Sequence, residues 1–352
     1  MRLIPTSLVM ALALLSGVSM ASLAHGDPNS ACGAANPRAG SQSIAVLSAG
    51  QVRSVLLYVP AAAATHRPLP LIFDLHGSGS NGEEQAKTSR LSDLAAKEGF
   101  VVANPSGGVV LPGSPNARYW NIPGVPLTGG APTPADAPDD VQFINDTIDT
   151  IASKTCIDPR RIFVTGMSGG ARMASLLACR LSARIAAIAP VSGLRAGLPS
   201  RDNPLQPDPA TCQPQRAVPI VTFHGTGDAV NPYNGDNSLR WRYSIPAALA
   251  RWVEIDHCRG ESHDRRVAAH VTLVRYGPCE QGAEIWFYRT DATGEQGGGH
   301  AWPGSVIPPS MARNLPAAQL RMNVPSTEIN ASELIWQFFK AHSLPAEDKK
   351  AP

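Results

Sequence analysis

The chain has 352 residues, enough for one large domain or two ordinary ones. Hydrophobic residues make up 43% and charged residues 16%, which supplies a buried core and excludes an intrinsically disordered chain. The formal net charge is +2 with no Lys/Arg run, so neither nucleic acid nor an acidic lipid surface is expected as a partner.

The first residues read as a targeting segment. Arg2 precedes an apolar run over 8–18, the length of a signal-peptide core and short for a membrane span. Ser22-Leu23-Ala24 offers a small-residue cleavage site. Residues 1–24 are therefore expected to be a signal peptide, and 25–352 an exported chain, periplasmic or secreted, with no membrane association after cleavage. Export changes how the cysteines read. Cys32, Cys156, Cys179, Cys212, Cys258 and Cys279 all follow the cleavage site, and an even count in an oxidising compartment favours disulfides. Fifteen pairings are possible, and buried free thiols are the alternative. The absence of Cys-x-x-Cys argues against a zinc knuckle, and no metal is expected.

Apolar runs and helical spacings then alternate. Strands are predicted over 55–59, 69–75, 100–103, 161–165, 185–191 and 219–223, with a pair at 271–276 and 283–288. Helices are predicted over 89–98, 141–153, 169–181, 244–253 and 331–341. Asp139 and Asp140 precede the second of these, where a helix favours negative charge. Residues 105–138 and 196–214 lack periodicity and read as long loops. The alternation predicts a mostly parallel sheet with helices on both faces, in a single domain.

Gly166-Met167-Ser168-Gly169-Gly170 falls between the 161–165 strand and the 169–181 helix. G-x-S-x-G in that setting is a nucleophile elbow: a sharp turn that lifts the serine above the sheet edge and needs small neighbours. A serine hydroxyl needs a base, and the base an orienting acid. Asp228 follows the 219–223 strand in His224-Gly225-Thr226-Gly227-Asp228, and His300 lies in Gly297-Gly298-Gly299-His300. The order Ser168, Asp228, His300 is that of α/β-hydrolases. Oxyanion donors are expected from the backbone of Gly169 and of Ser78, in the loop after the 69–75 strand. His76 and His224, each before a glycine at a strand end, are expected to brace turns. His257, His263 and His270 read as solvent-facing.

The motifs Leu75-His76-Gly77-Ser78-Gly79-Ser80-Asn81-Gly82, Asp139-Asp140-Val141-Gln142-Phe143-Ile144, Gly166-Met167-Ser168-Gly169-Gly170, His224-Gly225-Thr226-Gly227-Asp228 and Gly299-His300-Ala301-Trp302-Pro303-Gly304 occur together in this order. The chain thereby resembles the secreted polyhydroxybutyrate depolymerases and the feruloyl and acetylxylan esterases, over a core of about 32–345. The resemblance implies an α/β-hydrolase fold and ester hydrolysis without a cofactor, through Ser168, Asp228 and His300 with Ser78 and Gly169 at the oxyanion. Polyhydroxybutyrate-type oligomers and feruloyl esters of plant polysaccharide are the substrates it implies. An acetylxylan or small-ester esterase is the alternative, and a peptidase or a non-catalytic binding protein on this fold are weaker readings. The resemblance also implies disulfides Cys156–Cys179 and Cys258–Cys279, leaving Cys32 with Cys212. Two departures stand out. Gly169 replaces an asparagine common after the elbow serine, and Val230-Asn231-Pro232-Tyr233 is one residue longer than the usual Val-Pro-Tyr. Trp302, Trp120 and Met167 are candidates for substrate contact, the two rings because they lie beside His300 and in the 105–138 loop.

Overall fold

The computed structural model describes residues 32, 38–111, 113–293, 297–305 and 323–346. The expected signal peptide lies outside them. β1 (Gly40–Ser48) and β2 (Gln51–Val59) form an antiparallel hairpin. Its turn residues, Ala49 and Gly50, both take positive φ, the backbone that a tight two-residue hairpin requires. β3 (Leu69–Leu75), β4 (Val101–Pro105), β7 (Ile157–Met167), β8 (Ala187–Val191), β9 (Ile220–Gly225) and β12 (Ile285–Thr290) form the parallel middle of the sheet. β10 (His263–Ala268) and β11 (Val271–Tyr276) close the far side antiparallel, and β5 (Val109–Val110) and β6 (Arg118–Tyr119) make a small separate ribbon. The main sheet runs β1-β2-β4-β3-β7-β8-β9-β12-β11-β10.

The helices are α1 (Gly82–Ser89), α2 (Leu91–Glu98), α3 (Asp140–Ala152), α4 (Gly169–Arg180), α5 (Ile245–Ile255) and α6 (Ala331–Phe339). Every residue of β3 is buried, as expected of a strand covered on both faces. Its side chains alternate between two cores. Leu71, Phe73 and Leu75 join α3, α4 and α5 through Phe143, Met173 and Trp252, while Ile72 joins α2 and α6 through Leu91 and Phe339. This is the expected α/β-hydrolase sheet with helices on both faces.

Strand register sets where function can sit. Leu75 pairs with Gly166, Met167 with Val191, Val191 with Phe223, and Gly225 with Thr290. The loops carrying Ser78, Ser168, Asp228 and His300 therefore all leave the same edge of the sheet.

Two expected disulfides are corrected. Cys32 bonds Cys156 and Cys179 bonds Cys212, while Cys258–Cys279 stands as expected. Disulfide-bonded Cα atoms usually lie about 4.4–6.8 Å apart. Cys179 ends α4 against the segment after the short Pro209–Thr211 turn, at 4.9 Å from Cys212. Cys156, just before β7, instead meets the incoming N-terminal segment at 4.5 Å.

Candidate active site

The elbow forms because the sequence leaves no side chains where the backbone must crowd. A Cβ on Gly166 would sit 2.7 Å from the Leu75 carbonyl oxygen, and one on Gly170 2.1 Å from the same atom. Ser168 takes φ 55 and ψ −110, the strained backbone of an elbow, held by its amide donating to Val191 O at 2.9 Å. It caps the N-terminal end of α4 and is part-exposed.

Asp228 is fully engaged. Its Oδ1 accepts the Val230 and Asn231 amides at 2.9 and 2.7 Å, and its Oδ2 accepts His300 Nδ1–H at 2.8 Å. Its side chain is 0% exposed and that of His300 10%. Burial pushes the Asp228 carboxyl up, but the His300 and His224 rings and the Asn231 amide outweigh it and hold the group below the usual carboxylate range. With Nδ1 donating, His300 Nε2 is left as the acceptor. The loop is carried to this place by tight backbone contact. Gly227 N donates to Gly298 O at 2.8 Å, and a Cβ on Gly225 would stand 2.1 Å from that oxygen. Beyond His300, Ser192 Oγ donates to Ala301 O at 3.3 Å. Ser192 directly follows Val191, whose carbonyl holds Ser168, so one turn ties the serine and histidine loops together.

The extra residue in the acid loop, Asn231, is 3% exposed and knits that loop to its neighbours. Its Nδ2 donates to Ser192 O at 2.7 Å, and its carbonyl accepts His224 Nε2–H at 2.9 Å. His224 and His76 brace turns as expected. His76 accepts the Gly107 amide at Nε2 and donates from Nδ1 to Gly77 O, at 2.9 and 2.7 Å. Burial pushes each ring down to about 4, so both are neutral near pH 7.

Ser78 and Gly169 are brought together. A Cβ on Gly169 would lie 2.4 Å from Ser78 Oγ and 3.0 Å from Ser78 N. Across the same turn, a Cβ on Gly77 would lie 3.5 Å from that of Ser168. Arg240 enters here without any motif to announce it: its Nη2 donates to Ser78 Oγ at 2.8 Å.

The two tryptophans are not where a substrate would meet them. Trp302 is 1% exposed, packs in the core with α6, and donates from Nε1 to Ser332 Oγ at 3.1 Å. Trp120 is 4% exposed, stacks on His76 at 4.8 Å between centroids, and donates to His76 O at 2.8 Å. Both satisfy the rule that a buried indole N–H finds a partner, and both fix site loops from behind. Met167 is part-buried against the same core as Trp302. Asp140, buried beneath the 105–138 loop, pairs with Arg53 at 2.7 Å and accepts the Asn121 amide at 2.8 Å, so the pair of aspartates divides its work: Asp139 caps α3 and Asp140 anchors the loop. His270 bonds Glu328 at 2.5 Å rather than facing solvent freely. Among the described residues no group of three or more His, Cys, Asp or Glu could hold a metal.

The sheet order and the elbow define an α/β-hydrolase. Residues 53–200 match the family described as Esterase PHB depolymerase. It is 29% identical over 258 residues to feruloyl esterase B of Piromyces equi, covering 71% of this chain and 42% of that protein. It is 26% identical over 257 residues to the bifunctional acetylxylan esterase/xylanase XynS20E of Neocallimastix patriciarum, covering 72% of this chain and 31% of that protein. The matches thus span less than half the length of these relatives. The fold is similar to that of an acetyl xylan esterase from Aspergillus awamori, with a TM-score of 0.53 at 16% identity over 74% of this chain and 94% of that one.

Proposed function

We propose that the protein is an exported serine esterase that cleaves carboxylic esters through an acyl-enzyme. The observation that carries this reading is the 2.8 Å bond from His300 Nδ1 to a buried Asp228 on the edge where the elbow presents Ser168. In this reading His300 Nε2 takes the Ser168 proton as Oγ attacks the ester carbonyl. The Ser78 and Gly169 amides hold the oxyanion, and His300 returns the proton to the departing alcohol. Water, deprotonated by His300, then releases the acid and restores Ser168. Asp228 keeps the imidazole in the working tautomer and stabilises its charged form. The three disulfides support an oxidising compartment.

The substrates proposed are feruloyl-type esters or hydroxybutyrate-type oligomers. With Trp120 and Trp302 in the core, the aromatic-slot argument for a phenolic acyl group loses its residues. The test is hydrolysis of methyl ferulate beside a soluble 3-hydroxybutyrate oligomer, with Ser168→Ala as blank. A fluorophosphonate should label the wild type and not the variant. Labelling of Ser168→Ala would overturn the nucleophile assignment.

A further inference from the structure

A cavity of about 360 Å³ opens along α4, outside the Ser168–Asp228–His300 group. Its walls include Arg172, Arg195 and Arg240, with Leu176, Leu198 and Trp241 among the apolar surfaces, and no Asp or Glu among the described residues lines it. Arg172 is 3% exposed and Arg195 8%, and buried guanidinium groups are costly unless matched. Their matching is incomplete. Arg195 lies over Trp241 and Tyr243 at 3.6 and 4.1 Å and donates from Nη1 to the Trp241 and Tyr243 carbonyls. Arg172 lies over Trp241 at 4.7 Å and donates to Arg240 O and Asn231 Oδ1. Arg172 Nε and Arg195 Nη2 remain buried with no hydrogen-bond partner among the described residues. Asp236 is the acidic group whose charge reaches both, and it is spent on Ser238 and the Arg242 amide. Burial pushes Arg195 down to about 10. Burial, and then the Arg240 and Arg195 charges, push Arg172 well below its ordinary value. An anion in the cavity would offset both charges.

Two residues lining the cavity also contact residues of the proposed chemistry. Arg172 lies one helical turn beyond Ser168, its amide donating to Ser168 O at 3.1 Å, and Arg240 reaches Ser78 Oγ. A cationic cavity with apolar walls suits a carboxylate on a hydrocarbon skeleton, and its volume falls in the range of small-molecule sites. We propose that this cavity is a subsite for the free carboxylate of an acid-ended ester substrate, such as a short hydroxyalkanoate oligomer. The substrate part of the proposal rests on the esterase reading; the binding part does not.

The kinetic test compares a 3-hydroxybutyrate trimer as free acid and as methyl ester, with a neutral chromogenic ester as activity control. The free acid should be preferred at least about 10-fold in kcat/KM, since a charge-assisted bond contributes on the order of tenfold or more. Leu176→Trp, which fills the cavity without removing an arginine, should bring the ratio near unity. Equal rates for the two trimers in the wild type, or an unchanged ratio in a folded Leu176→Trp, would overturn the proposal. The binding test uses calorimetry on full-length Ser168→Ala with the trimer acid, its methyl ester and butyrate. The acid should bind at least about 10-fold tighter than its methyl ester. Butyrate binding as tightly as the trimer acid would make this a site for released monocarboxylates and overturn the substrate role. Absence of activity on every ester would sink the esterase reading alone, and the calorimetry would still decide the carboxylate site.

Discussion

Ser78 Oγ occupies the place that a side chain on Gly169 would need, 2.4 Å from where its Cβ would be. Arg240 holds that hydroxyl there. A larger side chain at 169 would collide with that hydroxyl. Gly169→Ala should push the Ser78 loop away and misplace both proposed oxyanion donors. A loss of about 10²–10³ in kcat, with little change in Tm, is the expected result. Full activity in a folded Gly169→Ala would show that the oxyanion is held elsewhere.

Asp228→Asn preserves shape and removes charge. The amide can present either end to His300, and the end facing Nδ1 decides the tautomer. We expect kcat to fall by about 10³–10⁴ and fluorophosphonate labelling of Ser168 to slow in parallel. Unaltered labelling kinetics would remove Asp228 from the proposed triad.

Trp302→Phe separates packing from recognition. The variant loses the bond to Ser332 Oγ and some core volume, so stability should drop by about 1 kcal/mol or more. The ratio of kcat/KM for methyl ferulate to that for an aliphatic ester should stay constant. A changed ratio would return the ring to the substrate.

Asp256 makes stability depend on pH. It is 0% exposed, accepts the Val218 amide at Oδ1 and has no partner for Oδ2 among the described residues. Burial pushes its carboxyl up to about 7, against about 3.9 in an unfolded chain. Between those values the folded state binds more protons than the unfolded state. Its contribution is therefore full below about pH 4 and is lost as pH rises through about 7. Asp74, raised to about 7 by burial among Ser89, Gln85 and Asn104, acts in the same direction. Asp256→Asn keeps an acceptor for Val218 and cannot ionise. Its Tm should fall less between pH 5 and pH 8 than that of the wild type, by an amount on the order of a few kcal/mol in stability. Parallel Tm-against-pH curves for the two proteins would refute the assignment.

The disulfides differ in the loops they close. Cys32–Cys156 spans 124 residues and Cys258–Cys279 spans 21. In the chain-entropy view the longer loop contributes more, by about 1–2 kcal/mol. Replacing the first pair by serines should lower Tm more than replacing the second. Non-reducing peptide maps should show Cys32 with Cys156 and Cys179 with Cys212.

The parallel strands were legible because burial on both faces leaves unbroken apolar runs such as Leu71-Ile72-Phe73, and the elbow because its glycines sit between a strand and a helix. β1 was missed because its turn is Ala49-Gly50, and alanine gives no warning of a positive φ. α1 was missed because it buries Gln85 and Ser89 rather than an apolar stripe. The cysteine pairing was not legible because it depends on which segments meet below the sheet, and sequence distance says nothing of that. Trp120 and Trp302 read as binding residues because proximity in sequence to His300 or to a loop does not reveal which way a ring turns. Arg240 had no motif at all.

The parallel strands are flanked on both sides by antiparallel ones, and the last of these is β10. Its His263, Asp264, Arg265 and Arg266 are all exposed. An unpaired strand is a template for another chain, and a fresh strand could add only by stripping water from those charges. At this edge the protein ends its longest sheet on a segment poorly suited to growth.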